Sequence, residues 1–150
     1  MKQFVLVIFL MAAYSIYPTH ANAISMPCGL ILEPVDNKLI NAKGAALMYK
    51  VQLPPSKISR TNISILAVHI PEPSSYGNYD SYEGYASIPE EISWRFRLYP
   101  TRETDSPTWA GRFDFISAEM KNADIQVRPS NSNTQTLGPA IITNNIVNCK

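Results

Sequence analysis

Short apolar runs separated by proline, glycine, asparagine and serine recur along this chain, and a helical period is hard to find in it. Met26 to Val35 sets Cys28, Leu30 and Leu32 on one alternating face, and Asp36-Asn37 follows as a turn. The stretch from Ala45 to Leu53 places Ala45, Leu47, Tyr49, Val51 and Leu53 on one side and Lys50 and Gln52 on the other. That is the pattern of a strand with one wet face, and Pro54-Pro55 ends it. Ile63 to Ile70 is apolar on both faces, as a central strand is, and Pro71 and Pro73 stop it. Order returns at Ile92 to Leu98, with Ile92, Trp94, Phe96 and Leu98 opposite Arg95 and Arg97.

Trp109 to Ile116 alternates again, with Trp109, Phe113 and Phe115 on one face and Arg112 with Asp114 on the other. If it pairs with the preceding strand, Asp114 meets Arg95 or Arg97 in a surface ion pair worth under about 1 kcal/mol. Asp124 to Arg128 reads as a short strand ended by Pro129, residues 130–135 as a mobile polar loop, and Pro139 to Cys149 as a closing strand with a bulge or turn at Asn144-Asn145. These are seven strand candidates, and twelve prolines discourage long helices. The expected fold is all-β, a two-layer antiparallel β-sandwich of the immunoglobulin-like, Greek-key kind, with a small closed barrel as the main alternative.

The cysteines sharpen this picture. Only two are present, Cys28 and Cys149, so a bond between them closes nearly the whole domain into one loop and brings the first and last strands together. Ahead of them, Lys2, the apolar run Phe4 to Ala13 and Ala21-Asn22-Ala23 have the layout of a secretory signal peptide cleaved after Ala23. Pro18 and His20 break that run before it can span a bilayer, so no membrane span is expected after cleavage. The expected organisation is residues 1–23 as signal peptide and 24–150 as one domain, exported to the periplasm, the cell surface or the medium, where two cysteines oxidise.

Charge and residue inventory exclude more than they identify. Thirteen basic against twelve acidic residues leave no electrostatic footprint for nucleic acid or an anionic membrane. Beyond residue 23 the only imidazole is His69, inside an apolar run and expected to be structural. Glu90-Glu91 point to opposite faces of an extended backbone, and Asp80 with Glu83 lies in a stretch without a pocket, so paired-carboxylate chemistry is not supported. No phosphate loop or zinc motif is present, and Asn78, Asp80 and Glu83 lack the spacing of a calcium loop. Asn62-Ile63-Ser64 matches a glycosylation sequon, a chance match in a bacterial chain. The expectation is a protein that is not an enzyme and needs neither cofactor nor metal.

The remaining feature is residues 71–91, the longest stretch without strand character. Tyr76, Tyr79, Tyr82 and Tyr85 recur there every third residue among Gly, Asn, Asp and Ser, a composition typical of binding loops. These four are the candidate contact residues. The expected function is contact with a protein or glycan, as in surface adhesion or pilus or fimbrial assembly in a Gram-negative bacterium. Homo-oligomers and pilus subunits are then among the partners. Only Ile24 to Pro27 precede Cys28, too little for the donated arm of a standard pilus subunit. The alternative is a periplasmic inhibitor or immunity-type protein with one dedicated target.

Overall fold

The structure, a computed structural model, describes residues 25–103 and 105–149. The expected signal peptide, residues 1–23, lies outside the described residues. Eight antiparallel strands follow in order: β1 (Cys28–Pro34), β2 (Lys43–Val51), β3 (Arg60–Val68), β4 (Ser81–Ile88), β5 (Ile92–Pro100), β6 (Trp109–Ile116), β7 (Asp124–Ser130) and β8 (Ile142–Asn145). They close in the order β1-β2-β3-β6-β5-β4-β7-β8. Within this order β4, β5 and β6 meander and β7 returns beside β4, a Greek key.

The fold is therefore all-β, but the expected two-layer sandwich gives way to a closed barrel. Two four-stranded sheets, β1-β2-β3-β6 (sheet A) and β5-β4-β7-β8 (sheet B), would form a sandwich if their edges were free. Each edge is instead stitched to the other sheet by two residue pairs, Tyr99↔Ala110 and Pro100↔Trp109 at one seam and Glu33↔Thr143 and Pro34↔Ile142 at the other. Closure satisfies edge groups that a sandwich leaves open to other chains. At the first seam Gly111 is required, since a Cβ there would lie 2.5 Å from the carbonyl oxygen of Arg97. Gly111→Ala is expected to push β5 off β6 and cost about 1–3 kcal/mol, read as a lower urea midpoint at unchanged slope.

The disulfide joins Cys28 to Cys149 with Cα atoms 5.4 Å apart, as the sequence implied. It lies where β1 and β8 have parted, beyond their two residue pairs. There Asn144 Nδ2 also donates to the carbonyl of Ile31 at 2.8 Å. A short 3-10 turn, Ile146–Asn148, delivers Cys149 to this point, its first turn capped by the Asn145 side chain accepting from the Val147 amide.

The inward positions of both sheets make one core, from Leu30, Leu32 and Met48 through Ile63, Leu98, Ile125 and Ile142. Tyr82 and Trp109 meet edge to face within it, ring centroids 5.1 Å apart, and Phe96 stacks on Phe113. β4 overturns the reading of residues 71–91 as strandless, because it is paired along its length with β5 on one side and β7 on the other. Its inward positions are Tyr82, Gly84, Ala86 and Ile88. Gly84 has no side chain because the Phe96 ring lies directly over it.

β2 shows a second correction. The residues expected to face the core, Ala45 and Leu47, point outward, and Gly44, Ala46 and Met48 point in. Directly paired residues share a face, and the register Cys28↔Met48, Leu30↔Ala46, Leu32↔Gly44 ties β2 to the buried cysteine. A slip of one residue would invert the whole strand.

Candidate functional site

The four tyrosines do not form one surface. Tyr76 closes a 3-10 turn, Pro73–Tyr76, half-buried against the core, and its phenol pKa is raised by burial and by the charge of Asp36. Tyr79 lies over Gly138, where a Cβ would come 2.9 Å from its ring. Tyr82 is fully buried, and its hydroxyl donates to the carbonyl of Pro71 at 2.6 Å. Tyr85 alone points outward from the middle of a strand, beneath the guanidinium of Arg128 at 4.9 Å. The expected Tyr76-to-Tyr85 binding loop is thus part wall, part core, because every second residue of β4 must turn inward.

Neighbouring loops are better ordered than their polarity suggested. The buried Asn131 donates to the carbonyl of Asn78 at 2.8 Å and accepts from the amides of Asn133 and Thr134, and Asp80 accepts from Ser132. The Ser132 hydrogen bonds hold the Asp80 carboxyl below its ordinary range. These side chains stitch segment 131–135 to the segment ahead of β4, in place of the mobile loop expected there.

No catalytic constellation emerges from the described residues. His69 is exposed at the end of β3 with φ of 53°, not packed in the apolar run. Glu83 is engaged by Arg95, whose Nε and Nη2 donate to its two oxygens at 2.7 and 3.0 Å. That hydrogen bonding raises the Arg95 pKa. Asp114 turns to Arg112 at 3.4 Å and to Asn62, not to Arg95 or Arg97 as expected. Among the described residues no three acidic, histidine or cysteine side chains are grouped to hold a metal.

The two outer walls of the barrel are unlike. Sheet B presents Glu83, Tyr85 and Ser87 from β4, Arg95 and Arg97 from β5, and Gln126 and Arg128 from β7, a wall that water covers well. Sheet A presents an aliphatic wall. Reading across its four strands, Ile31, Ala45, Leu66 and Ala110 are directly opposite one another in one row. The adjacent row is Gly29, Leu47, Ser64 and Arg112. Ile31, Leu47 and Leu66 are 57%, 47% and 45% exposed, which is unusual for three contiguous aliphatic side chains on one sheet.

These rows floor a groove of about 1130 Å³. Asn144 and Asn148 rise beside β1 at one rim, and the paired Glu33 and Lys43 close one end. Arg112 stands at the other rim, its side chain 73% exposed, with Asp114 and Asn62 behind it. Asn62 is fully buried, and the Ser64 hydroxyl donates to its side-chain Oδ1 at 2.9 Å. A bulge in β6 opposite Asn62 then turns Phe115 outward, against the expected inward alternation, beneath Arg60 at 5.1 Å. The arrangement suits an apolar surface bounded by hydrogen-bonding groups, the composition of a protein interface core and rim.

Sequence patterning missed this groove because β2 was assigned the opposite face. The usable signal was that β1, β2 and β3 carry apolar residues on both faces, although only one face of a barrel wall meets the core.

A family model described as "YoqH: SPbeta prophage-derived uncharacterized protein YoqH" matches residues 24–150. Over 149 residues the chain is 64% identical to the SPbeta prophage-derived uncharacterized protein YoqH of Bacillus subtilis (strain 168), an alignment covering 99% of each chain. No solved structure matches it.

Proposed function

From the premise that this chain belongs to the YoqH family, we propose that it is an exported, non-catalytic barrel that works by binding protein through the outer wall of sheet A. The observation that carries this reading is the aliphatic groove with its polar rims, set against the wall of sheet B, where charged and hydrogen-bonding side chains surround Tyr85. Its floor has no aromatic platform for stacking a sugar ring, which favours protein over glycan. The export reading draws support from the family match beginning at residue 24, the residue after the expected cleavage point. It draws support also from a disulfide, which persists in oxidising spaces. Among the described residues no helix is long and apolar enough to cross a membrane.

A 64% identical relative in a Bacillus, which has no outer membrane, favours the cell surface or the medium over a periplasm. It likewise weighs against fimbrial assembly of the Gram-negative kind. The test is cross-linking of the purified protein on host cells and in their medium, compared with Leu66→Glu. Leu66 is outward, so the charge is expected to shift stability by less than about 0.5 kcal/mol while removing the cross-linked protein adducts. Adducts that persist in the variant would move the contact to another face.

A further inference from the structure

We infer that the occupant of the sheet A groove is a second copy of this chain, docked wall to wall across a two-fold axis; this rests on the reading of that wall as a protein-contact surface. The evidence is the order of side-chain sizes on it. Across β1, β2, β3 and β6 one row runs large, small, large, small, as Ile31, Ala45, Leu66 and Ala110. The next row runs small, large, small, large, as Gly29, Leu47, Ser64 and Arg112. The result is a checkerboard of knobs and holes.

Such a board with even numbers of rows and columns fits itself. A two-fold axis lying between the walls and running across the strands exchanges the two rows, so that every knob meets a hole. Ile31 then enters the space over Gly29 of the second copy, Leu47 covers its Ala45, and Leu66 covers its Ser64. Closed two-fold pairing is the commonest symmetry of soluble oligomers and uses one patch twice. An unrelated partner would need the reciprocal pattern by a separate route.

Gly29 supplies an independent argument. It sits inside a strand, where glycine weakens the fold, and a Cβ at this position would meet nothing within 4 Å. The barrel therefore has no internal use for a missing side chain there, in contrast to Gly84 and Gly111. A glycine in a strand often marks the close approach of something from outside, and Ile31 of the second copy is of the size to fill the vacancy.

Strand spacing bounds the strength of the pair. Four strands at about 4.8 Å and two rows about 6.6 Å apart give the board roughly 250 Å² a side, and the outward residues flanking it, Glu33, Lys43, Tyr49 and Val68 among them, extend the wall toward roughly 500 Å². That is the low end for a specific interface, so association in the micromolar range is expected.

Sedimentation velocity on the oxidised protein, residues 24–150, from about 1 to 200 μM tests the inference. The expected result is a concentration-dependent rise from monomer to dimer. Gly29→Leu fills the hole from a position where the added Cβ meets nothing within 4 Å, so it is expected to keep the melting midpoint and weaken association at least tenfold, and Leu66→Glu to do the same. A wild-type protein that stays monomeric throughout overturns the inference, and so does a dimer that survives both substitutions. Wild-type monomer together with Leu66-dependent cross-links to another protein would sink the second copy and leave the contact surface standing. Loss of both would remove the surface as well.

Discussion

Removing the Cys28–Cys149 bond, by reduction or by replacing both residues with alanine, is expected to lower the melting midpoint by about 10–20 °C. The bond spans 121 residues, so in the chain-entropy model it denies the unfolded ensemble on the order of 5 kcal/mol of loop freedom. For a domain of this size each kcal/mol moves the midpoint by roughly 2–4 °C. The native side adds to this, because the bond sits where the β1–β8 residue pairs have ended. Scanning calorimetry with and without reductant reads the effect. A midpoint unchanged within about 2 °C would show that the seam is held by packing alone.

The second large effect belongs to Tyr82. Its ring is fully buried against Trp109 and its hydroxyl serves the Pro71 carbonyl, which ties the connection ahead of β4 to the core. Tyr82→Ala removes the ring and leaves a cavity, at an expected cost of about 3–5 kcal/mol. Tyr82→Phe keeps the ring and loses the hydrogen bond, at about 1–2 kcal/mol. Replacing all four tyrosines therefore disrupts the fold, and cannot report on binding alone.

Burial also raises the Tyr82 pKa above its ordinary 10.0. As pH climbs past 10 the unfolded chain loses this proton first, so the stability contributed by the neutral phenol is complete below pH 10 and declines above it. Urea midpoints at pH 8 and 11 should converge between wild type and Tyr82→Phe, and equal declines in the two would locate the alkaline sensitivity elsewhere.

Much of the barrel was legible because alternation is a direct consequence of the pleat. Trp109–Ile116 was placed at its observed bounds, and Ile92 to Leu98 had its inward residues Phe96 and Leu98 correctly assigned. The cysteine bracket was readable from position alone. β4 was not, since Gly84 and Ala86 are inward but small, and tyrosines fell on both of its faces. Its character is set by the Phe96 ring above it, a partner across the ladder that no local window contains.

The face of β2 was lost for a related reason. Ala45, Leu47 and Ala46, Met48 are equally apolar alternatives, and only the pairing with β1 chooses between them. Closure was also beyond the reach of patterning, because it depends on four residue pairs at two seams. The candidate groove followed the same course. It became visible only when the strands were set side by side, since its two rows are drawn from four separate segments of chain.

Because the bond joins the start of the first strand to the residue after the last turn, one backbone cut by a protease anywhere between Cys28 and Cys149 releases no fragment. The nicked molecule stays a single covalent body, with its halves still held at the proximity needed to re-form the barrel, and two separate cuts are needed before any piece can diffuse away.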